Sequence, residues 1–206
     1  MSTRRAVPAE QRSRQPTEVR RRQVVRAALE LIGERGIAKV SARDIARHAG
    51  VSPGTVTYHF AGVREIFAEA ITMEIEEYYA PLMADLRLRP PREALQGLIE
   101  GQFTPNTERH WRLWFDYWSA GVGNEEFLRR QSARYAEWHE QIRDIVTTGR
   151  DDGVFSCADP DEFTVRFVAL VDGLALQWLR GVPPLTGAQA RDHLHRLVAD
   201  ELSPRA

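Results

Sequence analysis

Residues 51–62 read VSPGTVTYHFAG, and they decide how the fold is interpreted because they interrupt a chain otherwise written in helical periodicity. The stretch combines a proline, two glycines and several hydroxyl side chains, most of which are poor helix formers. Ser52 followed by Pro53 is nevertheless typical of a helix start, with serine as the N-cap and proline at the first helical position. We therefore predict a short helix from Pro53 to about His59 whose composition serves an interface more than its own stability.

The flanking segments predict a helix-turn-helix unit around this stretch. A first helix is predicted over residues 17–35. A second helix of about two turns begins where Ser41 and Asp44 resemble a capping box, and it ends at Gly50. Two short helices joined by a tight turn and braced by longer helices form such a unit, in which the second short helix enters the major groove of DNA. Val56 and Phe60 are predicted to face inward.

The rest of the chain has helical periodicity too, which predicts an all-α fold of about nine helices without strands. The further predicted helices cover residues 62–86, 92–103, 106–120, 124–151, 160–180 and 187–202, and Gly- and Pro-rich stretches separate them. Three parts follow from this organisation: a flexible basic arm at 1–16, a DNA-binding helix-turn-helix domain at 17–62 and a larger helical bundle for ligand binding and dimerisation at 63–206.

The charge of the chain is divided unequally between these parts. Residues 1–64 hold 13 Lys/Arg against 5 Asp/Glu, a net charge of +8, and the remainder carries −9 within a total of −1. This asymmetry indicates that only the first part meets a polyanion, although clustering by chance on a solvated face is the alternative. With one cysteine, Cys157, and no apolar run of about 18 residues, we expect a cytoplasmic, soluble protein with no disulfide framework and no membrane span.

The predicted DNA contacts lie in the two short helices and at the start of the following one. Hydroxyl groups can donate to phosphates or bases, a glycine lets the backbone approach closely, and a proline ring or threonine methyl can contact thymine methyls. The candidate DNA-binding residues are Ser41, Arg43, Ser52, Pro53, Gly54, Thr55, Thr57, Tyr58, His59 and Arg64. The alternative for Tyr58 and His59 is an ordinary surface position. The arginines of the arm, Arg4, Arg5, Arg12 and Arg14, are either solvated or follow the DNA backbone.

An aromatic cluster is the clearest signal in the remaining two-thirds. Four aromatic residues from Trp111 to Trp118 have the i, i+3, i+4, i+7 spacing that places them on one helix face. They are either a core stripe or an aromatic box for an organic cation. Asp172 lies within an apolar helix, where it faces a cationic ligand, pairs with an arginine or reaches a subunit interface. The candidate ligand-binding residues are Trp111, Trp114, Phe115, Trp118, Trp138 and Asp172.

The last two predicted helices favour a homodimer. Segment 163–179 is apolar around more than one face, and the final helix carries an apolar stripe. Helix-turn-helix proteins read half-sites about one helical turn apart, so a two-fold dimer on a pseudopalindromic double-stranded operator is the economical arrangement. The alternative is a DNA-binding dimer without an effector, which a solid core at the tryptophans would favour over a cavity.

An enzyme is not expected. Of the six histidines, His193 and His195 lie about 200° apart on a helix and cannot bind one metal from one face. Cys157 has no histidine near it in sequence, and no glycine-rich phosphate loop is present. We predict neither a metal nor a cofactor.

Residues 17–67 resemble the DNA-binding domain of the tetracycline-repressor (TetR) family, through ALELIGERGIAKVSARDIARHAGVSPGTVTYHF at 28–60. The remainder resembles the BetI-type branch more weakly, through WRLWFDYWSAG, RRQSARYAEW and VALVDGLALQWL. The resemblance implies a repressor released by a small molecule, choline-like in this branch, and dimers paired through the last two helices as a four-helix bundle. The family's phosphate-binding lysine is replaced here by Val63, followed by Arg64, which takes over the contact or leaves it absent.

Overall fold

The computed structural model describes residues 17–120 and 125–202, and its regular elements there are helices. The helices are α1 Thr17–Arg35, α2 Ala42–His48, α3 Pro53–His59, α4 63–87, α5 Pro91–Glu100, α6 Pro105–Ala120, α7 Glu125–Asp151, α8 Pro160–Arg180 and α9 Gly187–Leu202. A 3₁₀ turn, Ile37–Lys39, joins α1 to α2. The predicted all-α fold of nine helices is thus confirmed for these ranges. None of the described helices combines the length and apolar character needed to cross a membrane. The predicted arm at 1–16 lies outside the described residues.

Two predicted helices differ from the structure in detail, one by an internal irregularity and the other in where it ends. Helix α4 is not uniform, because a π-helical turn, Ile75–Tyr79, separates the α-helical segments Val63–Glu74 and Ala80–Arg87. Pro81 follows this turn and has no N–H for the carbonyl four residues earlier, which disfavours a regular α-helical ladder here. The helix predicted over 92–103 ends at Glu100, after which Phe103 adopts a positive φ of 54° and enters the core.

The start and end of α2 follow the predicted chemistry. The Ser41 side chain accepts from the Asp44 N–H, and the Asp44 carboxylate accepts from the Ser41 N–H at 3.1 Å, so the capping box is confirmed with aspartate as its acid. Gly50 has φ of 65°, a left-handed conformation that suits glycine, in the turn toward α3. From α1, Gln23 Nε2 donates to the Ala49 carbonyl at 2.6 Å and fixes this end of the helix.

Helix α3 begins as predicted. The Ser52 hydroxyl accepts from the Thr55 N–H at 3.1 Å, and Pro53 occupies the first helical position. Val56 and Phe60 are buried against α1 and α4 in the same core, which confirms their inward orientation. One face of this short helix is therefore fixed, and the opposite face is left to solvent.

Arg21 of α1 joins three helices at the end of α3. Its guanidinium donates to the His59 carbonyl at 2.6 Å and to the Glu69 carboxylate of α4, with Nε at 3.0 Å from Glu69 Oε2. The same group lies over the Phe60 ring, 4.3 Å from its centroid. Because the last carbonyls of a helix have no partner within it, Arg21 both satisfies one of them and sets where α3 ends.

Two hydrophobic cores organise the described residues. The first contains α1, α2, α3 and the first half of α4, and the second contains the end of α4 with α5, α7, α8 and α9. Helix α6 belongs to both, since Leu113 and Tyr117 are buried in the first core, whereas Trp111 and Phe115 pack against the second. The start of α7 also reaches the first core through Phe127. Helices α4 and α6 therefore connect the helix-turn-helix unit to the bundle.

We expect Arg21→Met to lower the free energy of unfolding by about 1–3 kcal/mol, because the substitution removes charge-assisted hydrogen bonds at a partly buried site. Chemical denaturation monitored by circular dichroism measures the change. The matched control is Arg22→Met on the same helix. Arg22 is well exposed and pairs with Glu77, so we expect a change of about 0–1 kcal/mol there. Equal effects of the two substitutions would contradict a tethering role for Arg21.

Candidate nucleic-acid interface and aromatic cavity

The exposed face of α3 carries most of the predicted DNA-contacting residues. Pro53, Gly54, Thr57 and Tyr58 are exposed, and the Tyr58 side chain is 79% accessible. A tyrosine this exposed leaves its ring and hydroxyl free for a partner. The Thr57 hydroxyl donates to the carbonyls of Pro53 and Gly54 at 3.4 and 3.3 Å, so its methyl group and its two acceptor lone pairs are what it can offer a partner.

The other predicted DNA-contacting residues on this surface differ in their exposure and in the contacts they already make. The hydroxyls of Ser52 and Thr55 lie 2.9 Å apart and bond each other, with Ser52 exposed and Thr55 half-buried. His59 is half-buried, and its ring meets that of Tyr58 edge-on at 5.0 Å. Ser41 is exposed at the start of α2. Ser52 thus contacts Thr55, and Tyr58 contacts His59, along this surface.

Two arginines next to this surface have no carboxylate partner within residues 17–120 and 125–202. Arg43 in the first turn of α2 and Arg64 in the first turn of α4 are both exposed. By contrast, Arg47 on α2 pairs with Asp44, and Arg21 pairs with Glu69. An unpaired guanidinium can contact a phosphate without breaking an existing ion pair.

A cavity of about 560 Å³ lies between α4, α6, α7 and α8. The aromatic stripe of α6 therefore lines open space rather than only filling a core. All six residues predicted for ligand binding contribute to its wall: Trp111, Trp114, Phe115, Trp118, Trp138 and Asp172. Residues that the sequence analysis missed complete the wall, among them Ile75, Tyr79, Met83, Gln102, Tyr135 and Gln141.

One end of the cavity is built around Asp172. The Tyr135 hydroxyl donates to Asp172 Oδ2 at 2.5 Å, and the Tyr135 ring meets Trp118 edge-on at 5.0 Å and His139 at 4.8 Å. Burial raises the pKa of Asp172 above its ordinary value, which the Tyr135 hydrogen bond and the neighbouring His139 oppose. Burial also lowers the pKa of His139. Burial and the hydrogen bond to Asp172 together raise the pKa of Tyr135, so its phenol stays protonated and donates that bond.

The i, i+3 spacing of Tyr135 and Trp138 was the available signal for this part of the wall, because it places the two side chains on one face of α7. Sequence alone did not show that Asp172 of α8 would meet Tyr135, because that contact joins two separate helices.

Charged groups give the cavity a negative balance. Asp172, Glu76 and Glu137 contribute carboxylates, and Arg134 contributes the one guanidinium among the described lining residues. Arg134 also pairs with Glu137 at 3.0 Å, and Glu76 and Glu137 are exposed. A low-dielectric cleft of this sign raises the local concentration of cations.

The cavity is connected to the helix-turn-helix unit through α4 and α6. The π-helical turn Ile75–Tyr79 lines the cavity, and the preceding half of α4 contacts Arg21. On α6, the Asp116 carboxylate accepts from the Ile37 N–H at 2.8 Å. Asp116 thus points away from the aromatic stripe and toward the turn that precedes α2.

Glu74 and His110 form a further buried contact between α4 and α6. The Glu74 carboxylate touches the imidazole, which stacks on Tyr78 with ring centroids 3.9 Å apart. Glu74 immediately precedes the π-helical turn, so the pair fixes α6 against α4 beside the cavity.

No group of three or more His, Cys, Asp or Glu side chains is arranged to hold a metal ion within the described ranges. A helix-turn-helix unit with an exposed second helix, joined to a helical bundle that encloses a cavity, defines a DNA-binding transcriptional regulator with a ligand-binding domain.

Comparison with known proteins identifies the family. Residues 24–70 match the model of bacterial regulatory proteins of the tetR family, and residues 91–203 match that of the BetI-type transcriptional repressor C-terminal domain. The chain belongs to the TetR family, with a C-terminal region of the BetI type.

Similar proteins share most of their length with this chain. The HTH-type transcriptional regulator BetI of Stenotrophomonas maltophilia is 32% identical over 191 residues, which are 88% of this chain and 89% of that protein. BetI 2 of Chromohalobacter salexigens is 28% identical over 196 residues, 89% and 88% of the two chains. A crystal structure of a transcriptional regulator from Saccharomonospora viridis in complex with choline has a TM-score of 0.84 and 30% identity, covering 92% of this chain and 100% of that one. These relatives are described as transcriptional regulators, not as enzymes.

Proposed function

We propose that the protein is a homodimeric repressor that binds a pseudopalindromic operator through α3 and releases it when an organic cation occupies the aromatic cavity. The observation that carries the proposal is the cavity itself, which combines tryptophan walls with Asp172 and is bordered by the two helices that reach the helix-turn-helix unit. Because a bacterial operator lies in the cytoplasm, the proposal implies a cytoplasmic protein.

In this proposal the exposed face of α3 enters the major groove and the first turns of α2 and α4 contact phosphates. The proposed DNA-binding residues are Ser41, Arg43, Ser52, Pro53, Gly54, Thr55, Thr57, Tyr58, His59 and Arg64. The exposure of Tyr58 supports it, as does the lack of a carboxylate partner for Arg43 and Arg64 among the residues that the structure describes. Arg64 takes the phosphate contact that Val63 cannot make.

The cavity favours a cationic effector for two reasons. Tryptophan and tyrosine rings attract quaternary ammonium groups through their electron-rich faces, and the Asp172 carboxylate adds a charge at the end of the aromatic wall. The relative from Saccharomonospora viridis, crystallised with choline, supports the same ligand chemistry by similarity.

Release of DNA follows from differential binding. In one conformation α4 and α6 hold the recognition helices away from their operator positions. An effector that binds this conformation more tightly lowers DNA affinity by the ratio of its affinities for the two conformations. The π-helical turn of α4 is the natural point of adjustment, because its residues line the cavity and its irregular hydrogen bonding can revert to an α-helical register.

Dimerisation is assigned to α8 and α9. The inner face of α8 is buried, whereas Val165 and Leu176 on its outer face are 57% and 45% exposed. Between them lie Ala169 and Gly173, both exposed and small enough for a partner helix to approach. An added Cβ at Gly173 would meet no atom within 4 Å, so the space there is open to a second protomer.

The proposal is tested with DNA fragments from the region upstream of the protein's own coding sequence, by fluorescence anisotropy at low salt with and without choline. We expect specific binding of one fragment and its loss on addition of choline or a related ammonium compound. Binding that no cation alters would overturn the effector part and leave a DNA-binding dimer. Failure to bind any fragment would overturn the whole proposal.

For the DNA surface, we expect Arg43→Ala to weaken binding about equally across DNA sequences and to reduce the salt slope by about 2, because each protomer of the dimer loses one phosphate contact. The matched control is Arg47→Ala on the same helix. Arg47 is already paired with Asp44, so its removal should leave the slope nearly unchanged. Salt titrations of both variants measure the difference, and equal slopes would exclude Arg43 as a phosphate contact.

For the cavity, we expect choline affinity to fall as the pH is lowered from about 8 toward the range in which carboxylates are protonated. Choline keeps its charge, but Asp172 loses its own as it is protonated. Since burial raises the pKa of Asp172, the loss begins at a higher pH than for an ordinary aspartate. Protonation of His139 adds a positive charge nearby and acts in the same direction. Tryptophan fluorescence titrations measure the affinity.

The control for this pH series is Asp172→Asn, which keeps the shape of the side chain and removes its charge. We expect about 10–100-fold weaker choline binding at pH 8 and a much flatter pH dependence. An unchanged pH profile in this variant would show that another group controls cation binding.

For the dimer, we expect Gly173→Gln to shift the protein to monomers at micromolar concentration, because a long side chain then occupies the proposed helix contact. Glutamine is also a better helix former than glycine, so the monomer should remain folded. Sedimentation velocity measures the oligomeric state. Ala133→Gln on the exposed face of α7 is the control and should leave the state unchanged. A Gly173→Gln protein that stays dimeric would place the interface elsewhere.

A further inference from the structure

The cavity is longer than the ammonium group that its aromatic walls would bind. Its volume of about 560 Å³ falls in the range of about 300–1,000 Å³ that is typical of sites for drug-sized ligands. Trp111 and Trp118 both line it, and seven residues of α-helix advance by about 10 Å. A trimethylammonium group with a hydroxyethyl arm leaves much of this length unfilled.

The two ends of the cavity have different chemistry. At one end Trp118 and Tyr135 meet beside the Asp172 carboxylate. At the other end Trp111 stacks on Phe103, with ring centroids 6.2 Å apart, and Gln102 next to it lines the cavity. The first end has a negative charge, and the second has an uncharged amide.

Gln141 lies toward the same second end. Tyr135 of α7 meets Trp118 at the Asp172 end of the cavity, so residues further along α7 lie away from that carboxylate. Gln141 is six residues beyond Tyr135, about 9 Å along the helix, and it lines the cavity. Two amide side chains thus belong to the half of the cavity that is distant from the carboxylate.

The Gln102 side chain lacks a partner. It is 8% exposed, and its amide makes no hydrogen bond to any residue in the described parts of the chain, although its backbone carbonyl accepts from Arg191. The amide atoms are not among the fully buried polar atoms without a partner in the described residues, so they are accessible from the cavity and can both donate to and accept from a ligand. A ligand group that bonds this amide would satisfy it.

We infer that the effector is an elongated organic cation whose ammonium group binds at Asp172 and whose other end has a hydroxyl or carbonyl group that hydrogen-bonds Gln102. The inference rests on the proposed function, since it concerns the same cavity, and it specifies the length and the second polar group of the ligand. Between the two polar ends, the walls at Met83 and Phe115 suit an apolar chain.

The test compares three trimethylammonium compounds by isothermal titration calorimetry: choline, hexyltrimethylammonium and (6-hydroxyhexyl)trimethylammonium. We expect both long compounds to bind more tightly than choline, because their additional methylene groups are buried, with the hydroxylated compound about 10–100-fold tighter than choline. We further expect the terminal hydroxyl to improve affinity about 3–10-fold over the plain hexyl chain.

Gln102→Met assigns the second polar contact. Methionine keeps the unbranched shape and removes the amide, so within this variant the advantage of the hydroxyl over the plain chain should disappear. Gln96→Met, on the exposed face of α5 and outside the cavity, is the matched control and should keep that advantage. An unchanged circular dichroism spectrum and an unchanged thermal midpoint show that the Gln102→Met protein is folded.

The outcomes separate this inference from the proposed function. Choline that releases the operator and binds as tightly as the long compounds would overturn the elongated effector and leave the proposed function intact. A hydroxyl advantage that persists in Gln102→Met would overturn the role of Gln102. If none of the three cations binds or releases the operator, the cationic effector of the proposed function fails as well.

Discussion

The packing of α4 and α6 into two hydrophobic cores at once is the constraint on which the rest of the structure depends. Each helix has residues in the core of the helix-turn-helix unit and residues against the core of the bundle. Close-packed cores deform little, so a helix shared by two of them cannot move in one without repacking the other. The cavity lies beside both shared helices, so a ligand bound in it affects the packing of both cores.

The same arrangement explains why polar contacts are concentrated along the junction. Arg21 links α1, α3 and α4, while Asp116 links α6 to the turn before α2. Apolar packing is tolerant of small rotations, but a hydrogen bond loses strength within a few tenths of an ångström or a few tens of degrees. These hydrogen bonds therefore fix the orientation of α3, and the hydrophobic cores stabilise the packing of the helices.

Local chemistry was readable from the sequence, and contacts between distant segments were not. The capping box of Ser41 and Asp44 and the helix start at Pro53 depend on neighbours within four residues, so the sequence predicted them correctly. The aromatic stripe followed from helical spacing alone. The contact of Tyr135 with Asp172 joins residues 37 positions apart, and that of Arg21 with His59 joins residues 38 apart. Neither leaves a local pattern.

The π-helical turn lies between these two cases. Pro81 is a visible sign of irregular hydrogen bonding, yet a proline in a helical pattern is compatible with a kink, a break or a wide turn. Packing decides among these outcomes, since Glu74 contacts His110 on one side of the turn and Met83 is buried in the second core on the other. A wide turn lets both residues face their own partners. The irregularity that sequence periodicity concealed thus lies between the two cores, on the wall of the cavity.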